Sequence, residues 1–210
     1  MQRTRVKICG ITRIEDALAA ADNGVDAIGL VFYDASPRYV STRQARAIAD
    51  AVSPFVTVVG LFVNPVAEEV RAVLGSVAPG LLQFHGSESN DECKQFGVPF
   101  IKSIAVDDEI DVLSCMQGYP DASGFLLDAW QPQTHGGGGV AFDWKRVPEK
   151  PPAAVILAGG LTPENVAQAI QTTHPYAVDV SSGVESSKGI KSADKISAFL
   201  KGVMNSDQRG

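Results

Sequence analysis

A single (β/α)8 barrel of eight parallel strands, with its functional site at the C-terminal ends of those strands, is the fold this sequence predicts, and three observations predict it. Short apolar runs rich in Val, Ile and Leu alternate with amphipathic helical stretches from one end of the chain to the other, with no linker between them. There are eight such runs. Spread over 210 residues, eight strand–helix units leave little room for insertions, which favours a closed barrel over a doubly wound sheet.

The first run, RVKICGI (5–11), leads into RIEDALAAADNG, where Gly24 stands in the place of a glycine just past a helix end. AIGLVFY (27–33) passes through the loop YDASPRYV into STRQARAIADAV, with Ser41 or Thr42 as its N-cap. TVVGLFVN (57–64) precedes VAEEVRAVLG, LLQFHG (81–86) precedes SNDECKQFG, and FIKSIAV (100–106) precedes EIDVLSCMQG. The sixth strand, GFLLDAW (124–130), begins the weakest unit, because QPQTHGGGGVAFDWKRV allows only a short helix near Phe142 to Val147. AVILAGG (154–160) is followed by a helix with Pro163 at its start, and AVDVSSG (177–183) by a last helix opened by Ser192 with Lys195. One barrel domain is thus expected over 1–204, with a polar, frayed tail from Asn205 to Gly210.

Composition narrows the functional classes. A formal charge of −6 offers no basic stripe to a phosphate backbone, so general nucleic-acid binding is excluded. Hydrophobic residues make up 45% and charged residues 20%, yet no apolar run is long enough to cross a bilayer, and no membrane role is expected. Cys9, Cys93 and Cys115 are odd in number and lack CxxC spacing, which suits a reducing compartment and speaks against a disulfide framework or a zinc site. The N-terminus has no long apolar signal region, so a cytoplasmic location is expected. No heptad or apolar surface stripe stands apart from barrel-facing helix surfaces, and a monomer is the expectation.

The last two runs point to a phosphate. Gly159 and Gly160 directly follow the seventh strand and leave main-chain N–H groups uncovered, and Ser181, Ser182 and Gly183 do the same after the eighth. Loops in these two places of a barrel recurrently bind a phosphate group. Either segment alone is equally a turn; as consecutive strand ends they make an anion site. Sampling the other strand ends gives Cys9 after the first, Arg38 in the loop after the second, Asn64 after the third, His85 after the fourth and Asp128 after the sixth. A lone Cys is commonly a small core hydrophobe, a lone His a structural residue, and Arg38 a solvated surface group. Asp128, after Gly-Phe-Leu-Leu, is costly to bury without partners unless it caps the next turn.

KICGIT (Lys7 to Thr12), SPRYVS (Ser36 to Ser41), GLFVN (Gly60 to Asn64), QFHGSE (Gln83 to Glu88), LLDAW (Leu126 to Trp130), FDW (Phe142 to Trp144), AGGLTPENV and VDVSSGVE together resemble phosphoribosylanthranilate isomerase of tryptophan biosynthesis, in the family's order and over nearly the whole chain. The resemblance implies a cofactor-free, metal-free Amadori rearrangement of a small phosphorylated aminoaldose, N-(5-phosphoribosyl)anthranilate, to the corresponding aminoketose. It implies Asp128 as general acid and Cys9 as general base, Arg38 facing the anthranilate carboxylate, and His85 and Asp179 near the substrate in positioning roles. That chemistry needs one acid to open the furanose and one base to take the proton from ribose C2.

One departure stands out. Where the family has Ser or Thr within its glycine run, this chain has Gly136 to Gly139, so a hydroxyl is missing at Gly138. A mobile flap over the site and a loosely held connection are equally consistent with four glycines. Two other readings stay open. Indole-3-glycerol-phosphate synthase shares the phosphate loops and would require lysine chemistry, for which Lys7, one strand alternation from Cys9, is placed. A non-catalytic phosphosugar-binding barrel is the other.

Overall fold

In the computed structural model, which describes residues 3–129 and 142–207, the apolar runs pair in parallel around a closed cylinder. The strands are β1 (Arg5–Cys9), β2 (Ala27–Val31), β3 (Thr57–Phe62), β4 (Leu81–Phe84), β5 (Phe100–Val106), β6 (Gly124–Ala129), β7 (Ala154–Leu157) and β8 (Ala177–Val180), and β8 returns to β1 to close the ring. Trp130 and Gly136 to Gly139, and with them the flap expected around Gly138, lie outside the described residues.

Alternation along each strand sorts side chains into two cores. Ile8, Phe62, Phe84, Phe100, Leu157 and Val178 face outward and are buried under the helices. The barrel interior is filled by Ile101, Leu126, Ile156, Ala158 and Ala177 on one side, and by Cys9, Val31, Leu61 and Val63 on the other. Branched apolar residues suit both surfaces, which is why the sequence runs are continuous in apolar character and not strictly alternating.

The helices are α1 (Ile14–Asp22), α2 (Thr42–Ala51), α3 (Ala67–Ser76), α4 (Asn90–Lys94), α5 (Val112–Gln117), α6 (Val166–Thr173) and α7 (Ala193–Asp207). Three of their ends follow the sequence signals, whereas α6 begins at Val166, three residues past Pro163. Ser41 Oγ accepts from Gln44 N at 3.3 Å at the start of α2, Gly24 takes φ +85° after α1, and Ser192 Oγ accepts from Lys195 N at 3.4 Å at the start of α7. Ser89 and Glu92 form a reciprocal capping box on α4. Between β6 and β7 the described residues hold a 3-10 turn, Trp144–Arg146, as the short FDWKRV run allows.

Three features depart from expectation. The strands stop two or three residues before most of the apolar runs do, because the runs continue into loops that carry the polar strand-end residues. Asn205 to Asp207 are the final turn of α7 and not a frayed tail: Ser206 is buried, and the Asp207 carboxylate accepts from Thr4 N at 3.0 Å and Thr4 Oγ1 at 2.7 Å, tying the last turn to the entry of β1. Beyond β8 lies an element the sequence reading did not contain, a 3-10 turn (Ser182–Val184) followed by a hairpin of β9 (Glu185–Ser187) and β10 (Ile190–Lys191) turning at Gly189, φ +77°.

Candidate active site at the C-terminal mouth of the barrel

Cys9 is the last residue of β1 and Lys7 lies two positions below it on the same inward face. Across the barrel seam Lys7 is the Cα partner of Asp179 on β8, and its Nζ donates to Asp179 Oδ1 at 3.0 Å with both side chains buried. The Lys7 ammonium and the Cys9 thiol interact electrostatically. Gly29 on β2 makes the room: a Cβ there would sit 2.8 Å from Cys9 Sγ and 3.2 Å from Lys7 Cε.

Burial pushes the Cys9 thiol above its ordinary value, and the Lys7 ammonium pulls in the opposite direction. For Lys7 itself, burial works against the charge, but Asp179 and Cys9 outweigh it and the ammonium is held more firmly than in water. Asp179 is pushed up by burial and by the neighbouring Asp128, and pulled back by Lys7 and His85.

Asp128, on β6, is buried with its Oδ1 accepting from Ala129 N at 2.9 Å and its Oδ2 3.6 Å from His85 Nε2. His85 follows β4. Its Nε2 is also 3.3 Å from Ser103 Oγ on β5, and its Nδ1 is 3.0 Å from the Gln83 side-chain amide. Two ionisable pairs, Lys7 with Asp179 and Asp128 with His85, therefore share the mouth with the Cys9 thiol.

Arg38 reaches the same mouth from the loop after β2. Its stem lies over Gly10, whose added Cβ would come within 2.4 Å of Arg38 Cδ. The guanidinium donates through Nε and Nη2 to Glu185 at 2.7 and 2.9 Å, so two of its three nitrogens are committed to a carboxylate of the chain itself. Lys191, fully buried, donates to the same Glu185 at 2.9 Å and to Ser181 O and Oγ at 3.1 and 3.3 Å. Burial pushes the Glu185 carboxyl up, and the bonds from Arg38 and Lys191 more than offset this, holding it below the usual carboxylate range.

The loops after β7 and β8 meet. Gly159 and Gly160 adopt φ +78° and +64°, and neither N–H has a backbone partner among the described residues. An added Cβ at Gly159 would stand 2.6 Å from Ala129 N and 3.0 Å from Asp128 Oδ1; one at Gly183 would stand 2.0 Å from Leu161 O. Ser182 and Gly183 open the 3-10 turn, and Asn165 braces the β7 loop by donating to Gly160 O at 2.9 Å.

Cys9, Arg38, His85, Asp128, Asp179 and the two phosphate loops thus fall on this mouth, whereas Asn64 Oδ1 accepts from Ser87 N at 2.7 Å and ties two loops together. Gln83, Glu185 and Lys191 were not foreseen. Gln83 had a signal, since it stands two residues before His85 and shares its face. Glu185 closes the VDVSSGVE motif, which gave it a place but no role, and Lys191 had no signal beyond the Ser-Lys-Gly turn of the hairpin.

Comparison with known proteins agrees with this geometry. A family description, N-(5'phosphoribosyl)anthranilate (PRA) isomerase, matches residues 6–202. The chain is 55% identical over 201 residues to an N-(5'-phosphoribosyl)anthranilate isomerase of Nitrosococcus oceani, covering 96% of this chain and 98% of the relative, and 54% identical over 205 residues to one of Azotobacter vinelandii, covering 98% and 100%. Among solved structures, phosphoribosyl anthranilate isomerase from Thermotoga maritima superposes with a TM-score of 0.89 at 41% identity, covering 96% of this chain and 99% of the other. A phosphoribosyl anthranilate isomerase in complex with reduced 1-(o-carboxyphenylamino)-1-deoxyribulose 5-phosphate does so at 0.82 and 38%, over the same shares.

Proposed function

Because the chain belongs to the N-(5'-phosphoribosyl)anthranilate isomerase family, we propose that Cys9 is its general base and Asp128 its general acid. The protein is an isomerase of tryptophan biosynthesis: it converts N-(5-phosphoribosyl)anthranilate to 1-(2-carboxyphenylamino)-1-deoxyribulose 5-phosphate. Asp128 gives its proton to the furanose oxygen as the C1–O bond breaks and the anilino nitrogen forms C=N. The Cys9 thiolate then takes the proton from C2, and the electron pair moves to form the C1=C2 enol. The enol gains a proton at C1 as its hydroxyl loses one, which leaves the ketone.

The observation that carries these roles is that β1 and β6 bring the Cys9 thiol and the Asp128 carboxyl to one mouth, with Lys7 bonded to Asp179 and His85 beside Asp128. Gly159, Gly160, Ser182 and Gly183 supply N–H groups for the ribose phosphate, with the Ser181 or Ser182 hydroxyl beside them. A phosphorylated product analogue bound to a relative fits a site of this kind. Arg38 Nη1, the nitrogen not engaged by Glu185, serves the anthranilate carboxylate. Lys7 is committed to Asp179, which removes the lysine a decarboxylating ring closure would call for. We place the enzyme in the cytoplasm as a monomer, in keeping with free thiols at Cys9, Cys93 and Cys115; sedimentation tests the oligomeric state.

Turnover decides the roles. Cys9→Ala and Asp128→Asn, each checked for folding by circular dichroism, should lower kcat by about 10²–10⁴ with KM within a few-fold. Near-normal kcat in either variant removes that residue from the chemistry.

A further inference from the structure

Gln83 lies inside the barrel, 1% exposed, between Leu61 and Ile101, its pairing partners on β3 and β5. Its amide nitrogen is 3.0 Å from His85 Nδ1, and its Oε1 is buried with no hydrogen-bond partner. A primary amide in an apolar layer with one bond made and its carbonyl unmet is a net cost to the fold; an apolar side chain of similar volume would pack there without it. Nothing in the packing therefore accounts for an amide at this position, and His85 does. An amide N–H aimed at Nδ1 requires a lone pair on that nitrogen, so the neutral imidazole carries its proton on Nε2. Nε2 is the nitrogen that faces Ser103 Oγ and Asp128 Oδ2.

We propose that Gln83 is a positioning residue for the isomerisation: it holds His85 in the Nε2–H tautomer, so that the ring presents a donor to the Asp128 carboxylate at the moment the acid has given up its proton. This rests on Asp128 being the general acid. The effect is electrostatic and conditional on the tautomer. In the opposite tautomer the Nε2 lone pair would face the developing carboxylate and repel it, so the ring would stop assisting the step it adjoins. The sequence carries the arrangement in two letters, since Gln83 and His85 at i and i+2 on one strand necessarily share a face.

The test is a double-mutant cycle with a spectroscopic readout, made on the full chain. Gln83→Met, which keeps volume and removes the amide, should leave the melting temperature unchanged or higher and lower kcat about tenfold or more, with KM within about twofold. In a His85→Asn background the same change should cost no further kcat, because its effect runs through the ring. Nitrogen-15 shifts of His85 should show the Nε2–H tautomer in the parent and a tautomer mixture in Gln83→Met. An Nδ1–H tautomer in the parent, a melting temperature that drops with kcat intact, or full additivity with His85→Asn would each overturn the proposal. Asp128→Asn is measured alongside: normal turnover there would remove the acid assignment, whereas the His85 spectra would still report whether Gln83 sets the tautomer.

Discussion

Lys7 Nζ lies 3.0 Å from Asp179 Oδ1, and the two residues are direct Cα partners where β8 closes onto β1. The pair sits one alternation below Cys9, so the charge closest to the thiol is a lysine that is itself anchored by a carboxylate. Asp179, placed near the substrate by family resemblance, thus has its carboxylate engaged by Lys7.

A consequence follows for pH dependence. Burial raises the Cys9 thiol and Lys7 opposes the rise, so the thiolate fraction, and with it kcat/KM, should still be increasing at about pH 8.5, the ordinary thiol value. Lys7→Met removes the charge that favours thiolate and should move the rising limb to higher pH; Asp179→Asn removes a charge that disfavours it and should move the limb lower. Rates of iodoacetamide labelling at Cys9 against pH, read by mass spectrometry, check both directions. Cys93, pushed up to about 12 by burial, serves as the unreactive internal reference.

Arg38 meets Glu185 with a two-pronged contact that a lysine cannot reproduce. Arg38→Lys should keep the charge, raise KM by about tenfold and leave kcat within about threefold, because the guanidinium neither gives nor takes a proton in the reaction. Steady-state kinetics settle it. An unchanged KM would show that the guanidinium serves only Glu185.

How much of this was legible follows from where each signal lives. The eight strands were readable because both barrel surfaces demand branched apolar residues, and Ser41, Gly24 and Ser192 marked helix ends by local chemistry. Cys9, His85 and Asp128 were readable because a barrel brings every strand end to one mouth. The Glu185 interactions were not. Arg38, Glu185 and Lys191 come together only through a hairpin of five strand residues, and three charges separated by up to 153 positions leave no periodic trace. Asn64 looked like the other strand-end residues, and only its bonds to Ser87 show that it braces loops.

Gly159 and Gly24 both adopt left-handed φ, +78° and +85°, and differ in surroundings. At Gly24 nothing lies within 4 Å of an added Cβ, so Gly24→Ala should cost only the conformational penalty, about 1–2 kcal/mol. At Gly159 the new carbon meets Ala129 N at 2.6 Å and Asp128 Oδ1 at 3.0 Å. Backbone cannot yield cheaply, so Gly159→Ala should be less stable than Gly24→Ala in urea titration. It should also lose kcat through displacement of Asp128, whereas Gly24→Ala should keep full activity.

The Glu185 carboxyl should set part of the acid limit of the fold. It is 8% exposed and takes bonds from Arg38 and Lys191 that hold it below the usual carboxylate range. A carboxylate lowered in the folded state contributes its full stabilisation above the unfolded value, about 4.3 for Glu, and loses it as pH falls through the lower folded value. The parent should therefore lose melting temperature below about pH 4.3 more steeply than Glu185→Gln does. At pH 7 the parent is the more stable of the two. There the amide leaves Arg38 and Lys191 without a counter-charge in a buried setting, a loss of about 3–5 kcal/mol when one partner of a buried pair is removed. Melting curves of both proteins across this range should converge toward low pH; parallel curves would mean that Glu185 is not what ties folding to protonation here.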